Sequence, residues 1–188
     1  MTTFVSTSSA TWPERLIHEF DAADTTATEL ITGLNREQLN HHPSPAAWSI
    51  GQCLEHLCIF NEVYPPPIAS ALQGRHGSAV QEISPGWFER WFISNFVEPS
   101  PRTKPVPAPR KVVPHQEVEL SVLDRFLRSN ETAREIVHRA CHYDVNRIRF
   151  RNPFVRVIYF RVGSGLEIVS KHERRHLLQA ERVKCSLT

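Results

Sequence analysis

The chain has 188 residues, 40% of them apolar and 22% charged, and 22 Lys and Arg against 20 Asp and Glu leave a formal net charge of +2. That length suits one domain able to bury roughly 70% of the surface of its unfolded form, and no apolar run approaches the ~20 residues needed to cross a bilayer. So balanced a charge supplies no global field for nucleic acid or a membrane surface, and four scattered cysteines with no CxxC pair argue against a disulfide scaffold and for a reduced, soluble, cytoplasmic protein.

Residues 1–12 have neither a basic start nor a continuous apolar core, so they read as a flexible N-terminal tail rather than a secretion signal, and the folded domain spans 13–188. Leu16, Phe20, Ala23, Ala27, Leu30 and Leu34 recur at steps of four and three, which predicts a first helix from Pro13 to Leu34 with the proline in its first turn. "HHPSPAAW" (His41 to Trp48) is a loop. Ser49 and Gln52 then form a capping box, with Trp48 and Cys53 placed as a hydrophobic staple. The second helix carries Ile50, Cys53, Leu54, Leu57, Asn61 and Tyr64 on one side until Pro65, Pro66 and Pro67 break or kink it.

"GWFERWFI" (Gly86 to Ile93) predicts a short helix capping the core. Six of the fourteen prolines lie between Pro99 and Pro114, which makes that stretch a long extended crossover. A third helix spans Gln116 to His142, with Val118, Leu123, Phe126, Ala133, Val137 and Cys141 as its stripe. The β-branched and aromatic segment after it fits either a strand pair or an ordered crossover. A second capping box, Ser164 with Glu167, opens a fourth helix that runs to Lys184. Four long amphipathic helices and little else predict an all-α fold, a four-helix bundle with a long Pro-rich crossover.

Among ten histidines, two pairs have i, i+4 spacing: His138/His142 and His172/His176. Helical phase separates them, because Val169, Ala180 and Val183 define an inward stripe that includes His176 and borders His172, whereas His138 and His142 lie off the stripe of their helix, toward solvent. An i, i+4 pair projecting into a bundle can offer two imidazole nitrogens to one ion, and a third ligand has to come from a facing helix. His56 sits on the flank of the second helix's stripe. Periodicity leaves two readings open: a metal site, or ordinary helix-face histidines bonded to backbone and water.

"PSPAAWSIGQCLEHL" (Pro43 to Leu57), with a Trp-Ser dipeptide ahead of a histidine seven residues after the serine, resembles the entry to the second helix in the DinB/YfiT-like superfamily. "HERRHLLQAERV" (His172 to Val183) is similar to that family's last helix, and "NPF" at Asn152 to Phe154 precedes it there too. The resemblance spans most of the chain, although only the two histidine segments are specific. It implies a bundle of up-down-down-up type with one divalent metal ion held by His56, His172 and His176.

Three neutral imidazoles would leave such an ion an open position, as catalytic sites do. An all-nitrogen set suits nickel or zinc, with manganese or iron also accommodated. Gln179 and Glu62 are candidate hydrogen-bonding or proton-transfer groups beside the ligands, against the plainer reading that each is solvated. Glu173 is expected to point away from the site. Arg174 and Arg175 read as a solvated face rather than a substrate clamp.

Arg147, Arg149, Arg151, Arg156 and Arg161 fall in fifteen residues without an acid, interleaved with aromatics. Single-stranded nucleic acid is one reading; arginines paired with acids elsewhere on the bundle is the favoured one, and a contact with an anionic substrate is a third. The functional expectation is a metal-dependent enzyme, a thiol-dependent S-transferase or a hydrolase, acting on a small molecule with a low-molecular-weight thiol as candidate partner and a homodimer as a candidate assembly. The rival is a non-catalytic metal-binding or stress-response module.

Overall fold

The computed structural model describes residues 10–99 and 109–187; residues 1–9 of the expected tail and 100–108 of the Pro-rich crossover lie outside the described residues. In α1 (Trp12–Ile31), Pro13 occupies the first turn, where an amide has no partner to lose, and the Glu14 carboxylate accepts from the Thr11 amide and hydroxyl at 2.8 Å each. Trp12 already belongs to the domain: it is buried and its Nε1–H donates to the Val80 carbonyl at 3.0 Å. The helix ends before the expected Leu34 because Gly33 turns the chain at a φ of 80°, which a side chain rarely tolerates. A four-residue helix that periodicity did not reveal, α2 (Arg36–Leu39), follows, capped reciprocally by Asn35 and Gln38.

The Ser49–Gln52 box forms as expected at 3.1 and 3.2 Å and opens α3 (Ile50–Val63). The prolines kink this helix instead of ending it. Pro65 to Pro67 fill the first turn of α4 (Pro65–Ala71), where missing amides break no hydrogen bond. The short aromatic helix is α5 (Trp87–Phe92), and it runs on into a π-helical turn at Ile93–Val97.

The third long helix, α6 (Val122–Ala140), starts later than Gln116. Asn40 takes the backbone of Val118 instead, accepting from its amide at 2.8 Å and donating to its carbonyl at 2.9 Å, which holds that segment extended. Of the two readings of the next segment, the strand pair is correct: β1 (Arg149–Arg151) and β2 (Tyr159–Arg161) form an antiparallel hairpin that sets Phe150 opposite Phe160, both buried, with arginines facing outward.

The last helix, α7 (Val162–Lys184), leaves β2 without a break, so the expected Ser164–Glu167 box does not form. Ser164 already lies inside the helix, buried with no hydrogen-bond partner for its hydroxyl, and Glu167 pairs with Arg15 at 2.9 Å. Gly165 admits the hairpin: a Cβ there would stand 2.4 Å from the ring of Phe150.

α1 packs against α6 and α7, and so does α3, which puts α1 diagonal to α3 and closes a four-helix bundle. The core falls into two apolar clusters, one around the hairpin and α4, the other around Leu39, Cys53 and Phe126. Each fully buried phenylalanine in them contributes about 1.5–3 kcal/mol. His56, Asn61, Asn130 and Glu173 are the buried polar residues of the level between the clusters. No helix among the described residues is long and apolar enough to cross a membrane.

Candidate metal centre

Because α3 and α7 pack together, the histidine about two turns after the Ser49 cap meets the pair in the middle of α7. His56, His172 and His176 each offer one ring nitrogen, and the three atoms lie within 4.8 Å of one another. His56 Nε2 and His172 Nε2 are 3.0 Å apart, and the His176 ring centre is 4.5 Å from that of His56 and 4.6 Å from that of His172. The other pair, His138 and His142, is exposed on and just beyond the end of α6, as its helical phase predicts.

The tautomers follow from the partners. Val112 presents a carbonyl, which can only accept, 2.7 Å from His56 Nδ1; the proton is therefore on Nδ1, and the Nε2 lone pair faces the cluster. Gln179 Oε1 does the same for His176 Nδ1 at 3.1 Å, so this sequence candidate is in place. A carbonyl or amide on one imidazole nitrogen with the other turned to a shared point is the arrangement that orients metal ligands.

Burial, and then each ring's neighbours, hold all three histidines neutral. Desolvation pushes the His176 pKa down to about 3 and that of His172 well below the usual histidine value, and it lowers that of His56 as well. Neutral imidazole is the ligating form. Zn–N bonds of about 2.0–2.1 Å in a tetrahedral site place ligand nitrogens roughly 3.3 Å apart, so these residues fit a small divalent ion with little side-chain movement. Trp48 walls the cluster, 4.9 Å from the His56 ring and nearly parallel to that of His176 at 5.7 Å, and Phe60 covers His172 at 4.1 Å.

Glu62 is not brought to the cluster. It is exposed on α3, held by Arg125 of α6 through two contacts of 2.6 Å. Glu173 does point away, into a separate buried network in which it accepts from Asn61 Nδ2 at 2.7 Å and Asn130 Nδ2 at 3.3 Å, while Asn130 also reaches Asp24.

The arginines divide. Arg174 is exposed as expected, but Arg175 is half-buried and donates from Nη1 to the Phe96 carbonyl at 2.5 Å, so the reading of both as a solvated face fails for one. In the hairpin region Arg161 pairs with Glu89 and Arg147 with Asp144, whereas Arg149, Arg151 and Arg156 are exposed.

Four further residues support the cluster without being sequence candidates for it. Val112 acts through its backbone and leaves no side-chain signal. Gln52 was seen as a cap, but its amide also donates to the His115 carbonyl at 3.0 Å, and Glu55 accepts from the His115 amide at 2.7 Å, so the two together moor the crossover that carries Val112. Phe60, four residues after His56, was legible as an apolar neighbour of the ligand and was not singled out.

No protein of curated function matches the chain. Among solved structures, that of YfiT from Bacillus subtilis superposes with a TM-score of 0.63 over 99% of this chain and 93% of that one, at 11% identity. It is described as "a probable metal-dependent hydrolase with an unusual four-helix bundle topology", and at that identity the likeness concerns the fold. The DinB superfamily profile matches residues 19–180, a span that includes all three clustered histidines and most of the bundle, and the chain belongs to the DinB superfamily.

Proposed function

We propose that this protein is a divalent-metal-dependent enzyme acting on a small molecule, either as a hydrolase or as a transferase that moves a low-molecular-weight thiol. The observation that carries the reading is the convergence of three neutral imidazoles, with no carboxylate joining them among the described residues. Three protein ligands leave room for substrate, where a structural site would be closed by a fourth. The description of YfiT as a metal-dependent hydrolase adds support from a shared fold.

Val112 and Gln179 hold His56 and His176 with their Nδ1 protons turned outward, so the Nε2 lone pairs remain directed at one point. Trp48 and Phe60 exclude water from the sides of the cluster, which strengthens every charge interaction inside it. A bound nickel, zinc, manganese or iron ion would supply Lewis acidity, lowering the pKa of a water or thiol in its open position toward neutrality. The chain's own cysteines are poor nucleophiles for that position. Burial pushes the Cys53 and Cys58 thiols up to about 12, and Cys185 is exposed just past the end of α7. The thiol is therefore external.

Cobalt-substituted protein tests this. Adding a small thiol is expected to produce a thiolate-to-metal absorption band that His176→Ala abolishes. A spectrum unmoved by any common cellular thiol removes thiol transfer and leaves hydrolysis, and a protein that takes up no divalent metal removes both.

A further inference from the structure

Arg175, one residue before His176, is a cation that pairs with no acid among the described residues. It stands on α7 between His172 and His176, half-buried, and its single hydrogen bond among the described residues runs from Nη1 to the carbonyl of Phe96 in the π-helical turn. A guanidinium has five N–H donors, so most of this one is unspent. Its positive charge reaches His56, His172 and His176 alike, and the other side chain acting on it is Arg182, which is also cationic.

The acids around it are committed elsewhere: Glu98, two residues beyond Phe96, pairs with Lys171 at 3.4 Å. Glu173 is held by Asn61 and Asn130, and Asp24 by Asn130 and Arg134. Residues 1–9 and 100–108 contain no Asp or Glu, so the parts of the chain outside the description bring no carboxylate side chain either. With a divalent ion on the histidines, the half-buried guanidinium would add its charge to that of the ion, with no countercharge for it among the described residues. Such an arrangement is costly unless an anion enters it.

We infer that Arg175 is a substrate-binding residue that receives an oxyanion, a carboxylate or a phosphate group, carried by the small molecule whose reacting atom occupies the metal's open position. The inference rests on the proposed function for the metal and names the substrate class. Phe96 holds one edge of the guanidinium and leaves the rest of its planar fork to pair with two oxygens of one group. Arg174, the adjacent but exposed arginine, serves as the control.

The test is calorimetric titration of inorganic phosphate and of acetate into zinc-loaded protein, comparing wild type with Arg175→Met, Arg175→Lys and Arg174→Met, with the metal content of every sample measured. Arg175→Met is expected to weaken anion binding about tenfold or more at unchanged metal content. Arg175→Lys should retain part of the affinity, and Arg174→Met all of it. The preferred anion tells carboxylate from phosphate. Equal affinity in wild type and Arg175→Met at equal metal content overturns the assignment, including the case in which the variant loses only thermal stability, as a mere tether to Phe96 would. A wild-type protein that takes up no metal instead overturns the proposed function, so the two failures are separate.

Discussion

α7 carries two polar clusters at one level of the bundle, on neighbouring faces, and they are built on opposite principles. On one face, Glu173 is met by the amides of Asn61 and Asn130, and Asn130 and Arg134 hold Asp24, so donors and acceptors come in matched sets with Asn61 Oδ1 left over. On the other face three bases converge and a fourth, permanently charged group acts on them, with no acid to balance the set among the described residues. A buried network that satisfies itself specifies how helices sit against one another. One that directs lone pairs at a common point and leaves a cation unbalanced is complete only with atoms from outside the chain.

The largest expected effect separates the two faces outright. His56→Ala, His172→Ala and His176→Ala should each weaken metal binding about 100-fold or more, since even loss of an orienting partner typically costs 10–100-fold. His138→Ala and His142→Ala should leave it unchanged. Equal metal content by elemental analysis in all five variants would remove the metal centre from the histidine face.

Next comes the matched face. Asn130→Ala strips a partner from both Glu173 and Asp24 and should cost about 2 kcal/mol in urea unfolding of metal-free protein, with metal uptake by the folded variant intact. A loss of metal with no loss of stability would mean that this network serves the centre after all. Gln179→Ala reverses the pattern: about tenfold weaker metal binding, since His176 loses the group that orients it, and little change in stability.

The pH dependence of stability sharpens the contrast further. Burial raises the Glu173 pKa from 4.5 to about 8. Between those values the unfolded chain releases a proton that the folded one keeps, so this residue's contribution makes stability fall as pH rises, by at most about 1.4 kcal/mol per unit. Below the lower value both states are protonated and the penalty vanishes. Glu173→Gln should thus match wild type near pH 4 and exceed it by about 1 kcal/mol or more at pH 8 in metal-free protein. Parallel unfolding curves across that window would show that the carboxyl ionises as freely when folded. The smallest effect belongs to the surface: Glu62→Ala breaks an exposed pair with Arg125, should cost less than about 1 kcal/mol, and should not touch metal uptake.

Much of this was legible beforehand, and the misses share a cause. Helical phase ranked the two histidine pairs correctly because burial of one face is written into apolar spacing. The Ser49 cap was readable because it needs only residues three apart. Ser164 and Glu167 have the same spacing and form no box, because β2 delivers the chain straight into α7 and puts Ser164 beyond the cap position. Glu62 and Gln179 looked alike as polar neighbours of ligands. Glu62 found Arg125 across a helix interface and Gln179 found His176 on its own helix. Arg174 and Arg175 are adjacent in sequence and differ only in what packs over them.

Length, periodicity, caps and prolines therefore determined the four long helices, their inward stripes and the histidine triplet as candidates, because each of those is a local property of a few neighbouring residues. Only the tertiary structure decided that α3 and α7 adjoin, that a carbonyl of the crossover sets the His56 tautomer, that desolvation keeps all three imidazoles neutral, and that Arg175 is enclosed while Arg174 is not. Helical phase says which face of a helix is buried, but not what it is buried against. Protonation, tautomer and unbalanced charge all depend on that facing surface.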